Sequence, residues 1–432
     1  MPTTHEQPAY EAIRDYLQTI ETIDTHEHLP PYEDKREQST DFLRGFLCQY
    51  FVRDLVSAGL SGAELDGVVR NTKKPLAERW RVVEPYWNAA RHTGYGQLLD
   101  IVARDLYSVA EGVNGGTIEA LDAAFQKSLQ PGWYEEVLKK RCNLRFSLLD
   151  SWSTDCDRRF YRPVVRLDGF IAPRNRWDPF AAEQRLESHV TCLDEWLAAC
   201  ERYLDESLAK GAVAIKCGLA YQRSLYFGRA TRAQAEEAFD RLLMSAAVDP
   251  AAAAHPASWT PLEDFMMHYV LRLANARHLT VQIHTGLHEG NSNRIANSDP
   301  SLLNNLFQDY RDVRFDIFHI GFPYQHVLSA LAKMFPNVYI DMCWAHIISP
   351  PVCVRMLSEW IETVPTNKIS AFGGDYGNVD CVYGHLVIAR RNVAKALAEK
   401  VADGLFGLER AKEIGKMLFH DNPERLFRLE KS

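Results

Sequence analysis

Two histidines one residue apart, His26 and His28 in THEH, close the first β-branched run of the chain. Residues i and i+2 of a strand point to the same side, so both imidazoles can aim at one ion while Glu27 faces away. Alone, the pair is weak evidence, and two half-exposed polar residues where a strand frays are the better reading. Three later residues add weight: His284 closes LTVQIH, His319 closes RFDIFH, and Asp375 follows KISAFGG. Imidazoles with a carboxylate suit Zn2+ or another first-row divalent ion, and an open coordination position would admit water or substrate.

Residues this far apart in sequence need a scaffold that gathers strand ends. Eight short apolar runs recur, mostly followed by helical patterns: Glu21–His28, Leu144–Leu149, Val164–Ile171, Ala212–Cys217, Leu279–His284, Arg314–His319, Val338–Met342 and Lys368–Phe372. Their near-continuous apolar character predicts a parallel sheet buried on both faces. Eight βα units predict an α/β fold, a (β/α)8 TIM barrel over a single domain, 1–432, with an open doubly wound sheet as the competing architecture. In a barrel all strand C-termini share one face, which is where these ligands fall.

Two connections are longer than a βα loop requires. Residues 29–141 carry helical patterns such as DFLRGFLCQYFVRDLVSAG and are expected to form a helical insertion over the active-site face. The second, from Gly218 to His278, holds two helical patterns around the loop VDPAAAAHPASWTP.

The formal charge of −8 without long single-sign runs argues against a nucleic-acid groove or a membrane-surface patch. The nine cysteines include no CxxC pair, which disfavours a thiolate zinc site or redox dithiol and fits a reduced, cytoplasmic setting. No apolar run is long enough to span a bilayer, and the N-terminus lacks a signal core, so a soluble, non-exported protein is expected. A small-molecule substrate and a homo-oligomeric state complete the expectation. The glycines of SVAEGVNGGT lack the strand-to-helix setting of a phosphate loop, and no GxSxG elbow occurs.

The ligand pattern resembles the amidohydrolase superfamily: HxH after the first strand, His after the fifth and sixth, and Asp after the eighth. The likeness runs from IDTHEHL to FHDNPERLFRL. It implies His26, His28, His284 and Asp375 as metal ligands, with Asp375 doubling as general base and His319 as a second-metal ligand or substrate polariser. Lys216, in GAVAIKCGLAYQ, is similar to the mononuclear branch, where it would contact an anionic substrate group or a carboxylate rather than be carbamylated. The layout most resembles the uronate isomerases, which have a helical insertion after HxH and an arginine in a third-strand RLD stretch that binds the substrate carboxylate; Arg166 in VVRLDGF and Tyr50 in FLCQYFVRDL match it. Those isomerases vary at the fifth- and sixth-strand histidines, both kept here.

From the residues themselves, Arg166 is readable as a carboxylate binder or as a salt bridge with Asp168 or elsewhere. Tyr221 and Arg223 could clamp substrate, and His288 and His346 could shuttle protons. The leading expectation is a metal-dependent hydrolase acting on a small carboxylated substrate, with His319 stabilising the oxyanion and Arg166 holding the carboxylate. Uronate aldose–ketose isomerisation and non-oxidative decarboxylation are the alternatives, and a dead barrel with a structural metal is the non-enzymatic one.

Overall fold

The structure, a computed structural model, describes residues 7–47, 49–174, 177–187, 189–244 and 259–429. Nine β-segments run parallel: β1 Thr22–Glu27, β2 Leu144–Leu149, β3 Tyr161–Pro163, β4 Val165–Arg166, β5 Ala214–Cys217, β6 Thr280–Ile283, β7 Arg314–Ile317, β8 Val338–Asp341 and β9 Ile369–Ser370. Each pairs with its neighbour in chain order, β1 to β3 in one ladder and β4 to β9 in another. β3 and β4 are halves of one stave: β3 pairs with β2, β4 pairs with β5, and the Val164 N–H between them donates to Leu149 O at 2.9 Å. Backbone bonds close the last seam, from Thr25 N to Phe372 O (3.0 Å) and from Asp375 N to His26 O (2.8 Å). The result is a (β/α)8 barrel.

All eight expected staves are present, most of them trimmed. The run expected to continue to Ile171 instead turns at Leu167 into a short helix, Asp168–Ile171. Asp168 and Gly169 are poor strand residues, and the Asp168 carboxylate accepts the Gly218 N–H at 2.9 Å, holding the turn against the next stave. The eighth stave shrinks to two residues because the chain after it leaves the ladder to bond with β1.

The barrel's closed end is packed by Ile23, Phe146, Leu148, Val164 and Ala214 against Leu426 and Phe427 of the C-terminal helix Asn422–Phe427. Toward the open end the interior turns polar. Register sets Lys216 beside Gln282 and Gln282 beside Asp316 on successive staves, all buried.

Between β1 and β2, among the described residues, lie five α-helices of five residues or more: Phe42–Phe46, Tyr50–Ser57, Leu76–Ala90, Gly94–Asp105 and Ile118–Ser128. They bury an apolar face that includes Leu43, Phe46, Phe51, Leu55, Trp87, Leu98, Val102 and Phe125. The other long connection contains helices Arg232–Met244 and Thr260–Ala276; most of the Ala/Pro-rich loop between them lies outside the described residues. Among the described residues no helix is long and apolar enough to cross a membrane.

Candidate active site

A cavity of about 330 Å³ at the C-terminal mouth of the barrel is lined by His26, His28, His284 and Asp375, together with Arg166, Lys216, Tyr50 and Tyr221. The strand geometry explains the gathering. His26 lies in β1 with His28 just beyond it, His284 is one residue past β6, His319 two past β7, and Asp375 follows β9.

Three of the four expected ligands, His26, His28 and Asp375, lie at coordination spacing, a group that does not include His284. His26 Nε2 and His28 Nε2 are 3.3 Å apart, and Asp375 Oδ1 is 3.5 Å from the first and 3.1 Å from the second. Ligand atoms about 2.0–2.1 Å from a tetrahedral first-row ion are separated by about 3.3–3.4 Å. Asp375 Oδ2 turns the other way, 3.8 Å from His319 Nε2.

Three histidines have their tautomer set by a backbone carbonyl. His28 Nδ1 donates to Asp150 O (2.8 Å), His319 Nδ1 to Cys343 O (2.9 Å) and His284 Nε2 to Leu287 O (2.9 Å). In each neutral ring the remaining nitrogen carries a lone pair, the outer-sphere arrangement that orients metal-binding imidazoles. His28 and His284 line the cavity, whereas His319 is buried behind His284 and is not part of the lining. His284 Nδ1 and His319 Nε2 consequently face one another at 2.9 Å, lone pair to lone pair. A shared proton or a cation relieves that contact. Burial pushes His284 well below the ordinary histidine range, helped by the neighbouring His319 and Lys216, and takes His319 down to about 4 despite the attraction of Asp375. A proton is therefore a poor bridge at neutral pH, and a divalent cation fits.

His26 is held neutral chiefly by burial and secondarily by the Lys216 charge. For His28, burial works downward, but the hydrogen bond and charge of Asp375 prevail and raise it. Asp375 behaves reciprocally. Burial raises it, while His28, His319 and Lys216 outweigh burial and hold it below the usual carboxylate range.

The backbone of Asp375 is left-handed, with φ 59°, and four neighbours hold it there. Tyr50 Oη donates to its carbonyl at 2.5 Å, and Gln49 Nε2 donates to the same oxygen at 3.2 Å. Gln49 Oε1 in turn accepts the Gly377 N–H at 3.0 Å. From the barrel side, Glu27 accepts the Tyr376 N–H (2.8 Å), and Asp24 accepts both the His26 and Gly374 N–H groups (3.1 Å each). Burial raises both acids, Asp24 to about 7, so the pair retains a proton. A side chain at Gly374 would overlap the Glu27 carboxylate.

Sequence reasoning set Glu27 aside because it points away from the ion; its work is on the ligand loop. It also passed over Gln49, whose only local signal is its place beside Tyr50. Asp150 was missed as well, being the last residue of an apolar run.

Arg166 lines the cavity, yet its Nε and Nη2 grip Asp150 at 2.5–2.9 Å, and Nη1 lies 3.4 Å from Asp168. Lys216 is the reverse case. Its ammonium is buried, sits 3.4 Å from the centroid of the Phe318 ring, and has no hydrogen-bond partner among the described residues. Tyr221 packs on His284 and His288, with ring centroids 4.7 Å away in each case, and its hydroxyl accepts the Glu289 N–H. Two expected contributors are placed elsewhere. Arg223 forms ion pairs with Glu263 and Asp264 (2.5 and 2.7 Å). His346 is buried against Ala371 O (2.9 Å) and Asn392; neither lines the cavity.

Comparison with known proteins agrees with this geometry. Residues 228–429, which carry His284, His319 and Asp375, match the amidohydrolase family model. Protein fluG of Emericella nidulans is 27% identical over 177 residues; the match takes in 39% of this chain and 20% of that protein, so the chain spans about a fifth of the curated relative. Uronate isomerase from Thermotoga maritima superposes with a TM-score of 0.81 over 97% of both chains at 14% identity. Glucuronate isomerase from Caulobacter crescentus gives 0.80 over 100% of this chain and 96% of that one, at 17% identity. A Lactobacillus casei protein provisionally assigned as a metal-dependent hydrolase gives 0.66 over 97% and 98%, also at 17%. Residues 228–429 thus resemble the amidohydrolase family, the chain as a whole has the fold of the two uronate isomerases, and His26, His28 and Asp375 form a group that could hold a metal ion.

Proposed function

We propose that the protein is a metal-dependent hydrolase acting on a small carboxylated substrate. The observation that carries this reading is the pair His284 and His319, both retained and both turned inward with bare lone pairs beside Asp375. His26, His28, His284 and Asp375 would hold one ion, for which zinc is the best match to three imidazoles, a carboxylate and tetrahedral spacing. Such an ion supplies Lewis acidity, lowering the pKa of water toward ~7 and polarising the scissile carbonyl.

The chain's own groups do the rest. Asp375, ionised at neutral pH, accepts a proton from the attacking water and delivers it to the leaving group. His319 carries a lone pair rather than a proton on Nε2, which suits it to ligation or proton acceptance better than to oxyanion donation. The anionic part of the substrate falls to Lys216, whose ammonium has no hydrogen-bond partner among the described residues, with Arg166 beside it already committed to Asp150. Tyr221 covers the opening, and Tyr50 acts on Asp375.

A second reading keeps the site and changes the reaction to uronate aldose–ketose isomerisation. Its support is the whole-chain superposition on two isomerases, insertion included. Metal-loaded protein assayed against lactones, carboxylated amides, glucuronate and galacturonate separates the two. Net hydrolysis upholds the first reading, a 2-keto sugar without net hydrolysis replaces it with the second, and CO2 released from aromatic acids overturns both.

A further inference from the structure

A second cavity, of about 480 Å³, lies on the far side of Gln49 from the metal ligands. Its inner wall is Gln49 and Gly377, the same two residues that brace the Asp375 loop. Its outer wall brings together three guanidinium groups from three separate segments, Arg36, Arg44 and Arg70, in a chain whose formal charge is −8.

The three are unequally satisfied. The Arg36 side chain is only 8% exposed, its Nη1 donates to Ser128 O at 2.5 Å, and its nearest carboxylate among the described residues, Asp380, is 4.0 Å away. Burial raises that carboxyl, which weakens it further as a counter-charge. Arg44 pairs with Glu37 and Arg70 with Asp66, but these carboxylates are 55% and 70% exposed. Exposed pairs of this kind contribute little and are easily given up for a better-desolvated anion. The Thr40 hydroxyl, also on the wall, is buried without a partner among the described residues. Guanidinium forks that converge on an enclosed space select planar or tetrahedral oxyanions.

We propose that this cavity is a second ligand site, distinct from the metal centre, for a small anion bearing a carboxylate or phosphate group. Arg36 provides the buried charge, Arg44 and Arg70 close on the ligand from the rim by releasing Glu37 and Asp66, and Thr40 donates a hydrogen bond.

The test is isothermal titration of metal-loaded, full-length protein with inorganic phosphate and, separately, with malonate. Three forms are compared: wild type, Arg44→Gln/Arg70→Gln, and Asp375→Asn. The rim arginines are half-exposed, so their replacement leaves the core intact. The expected result is one-to-one binding of at least one probe, weakened tenfold or more in the arginine variant and unchanged in Asp375→Asn. Which probe binds identifies the source of the anion. Absence of binding by both probes, or binding that is indifferent to the arginines and lost with Asp375, overturns the proposal, the latter by assigning the anion to the metal.

Discussion

If the helical insertion sets the metal ligand rather than only roofing it, removing the two hydrogen bonds to the Asp375 carbonyl must weaken metal binding. Tyr50→Phe deletes the 2.5 Å bond and leaves the carbonyl with Gln49; Gln49→Ala deletes the 3.2 Å bond and leaves it with Tyr50. Each single loss should cost about 1 kcal/mol of the loop's left-handed geometry, roughly a fivefold loss of affinity. The double variant strands a buried acceptor, a penalty of about 1–3 kcal/mol that neither single change incurs. Its loss should therefore exceed the roughly 25-fold product of the two singles and reach about 100-fold or more, at or beyond the upper end of the range for outer-sphere metal contacts. Chelator competition at fixed pH gives the dissociation constants, and the visible spectrum of the Co2+ form reports ligand geometry. Thermal unfolding of the metal-free variants controls for global damage. Metal affinity and Co2+ spectra within twofold of wild type, accompanied by a lower Tm, would refute the reasoning and leave the insertion a purely structural element.

Asp375→Asn should abolish turnover with metal retained or only partly lost, measured by metal content alongside activity; wild-type-like rates would remove Asp375 as the base. Lys216→Met should stabilise the metal-free protein by ~1 kcal/mol or more, since it deletes a buried charge without a hydrogen-bond partner among the described residues, while raising KM for a carboxylated substrate. Burial holds the Lys216 pKa below 10.5, so the folded chain binds fewer protons there than the unfolded one. Wild-type stability should accordingly rise with pH over the interval just under 10.5 relative to Lys216→Met, read from urea midpoints across that range. Arg223→Gln breaks a buried pair and should cost about 3–5 kcal/mol in unfolding free energy, with KM unchanged in the protein that remains folded. Gly374→Ala should lower both Tm and metal affinity, because its methyl displaces the Glu27 carboxylate from the ligand loop.

The staves and the ligands at their ends were legible because both follow from local pattern. Continuous apolar runs mark buried parallel strands, and a polar residue that terminates such a run stands at the barrel mouth whatever its partners. His26, His28, His284 and Asp375 could be placed at that mouth for this reason, and they line one cavity there. What decides charge compensation was not readable. Arg166 and Lys216 look alike from sequence, each a cation inside a strand. Only the fold shows that Asp150, sixteen residues earlier on the adjacent stave, has already claimed the first and that the second has no hydrogen-bond partner among the described residues. The same holds for Arg223, whose acids Glu263 and Asp264 follow it by 40 and 41 residues. Tautomers were out of reach altogether, since the carbonyls of Asp150, Cys343 and Leu287 that set them are backbone atoms with no sequence signature.

The sequence puzzle of the glutamate between the two histidines resolves in the same terms. A strand that offers His26 and His28 to the cavity must turn Glu27 the other way, into a buried space where a carboxylate is costly. Here that position is used. Glu27 and Asp24 share a proton and take up the N–H groups of the chain leaving β9, so the HxH strand positions the opposing ligand as well as supplying its own. Gln49 and Tyr50 grip the same loop from the insertion. Asp375 is thus held from two sides, by Asp24 and Glu27 of β1 and by Gln49 and Tyr50 of the helical stretch that follows it, so that in the proposed function a shift of either pair would move a ligand of the metal.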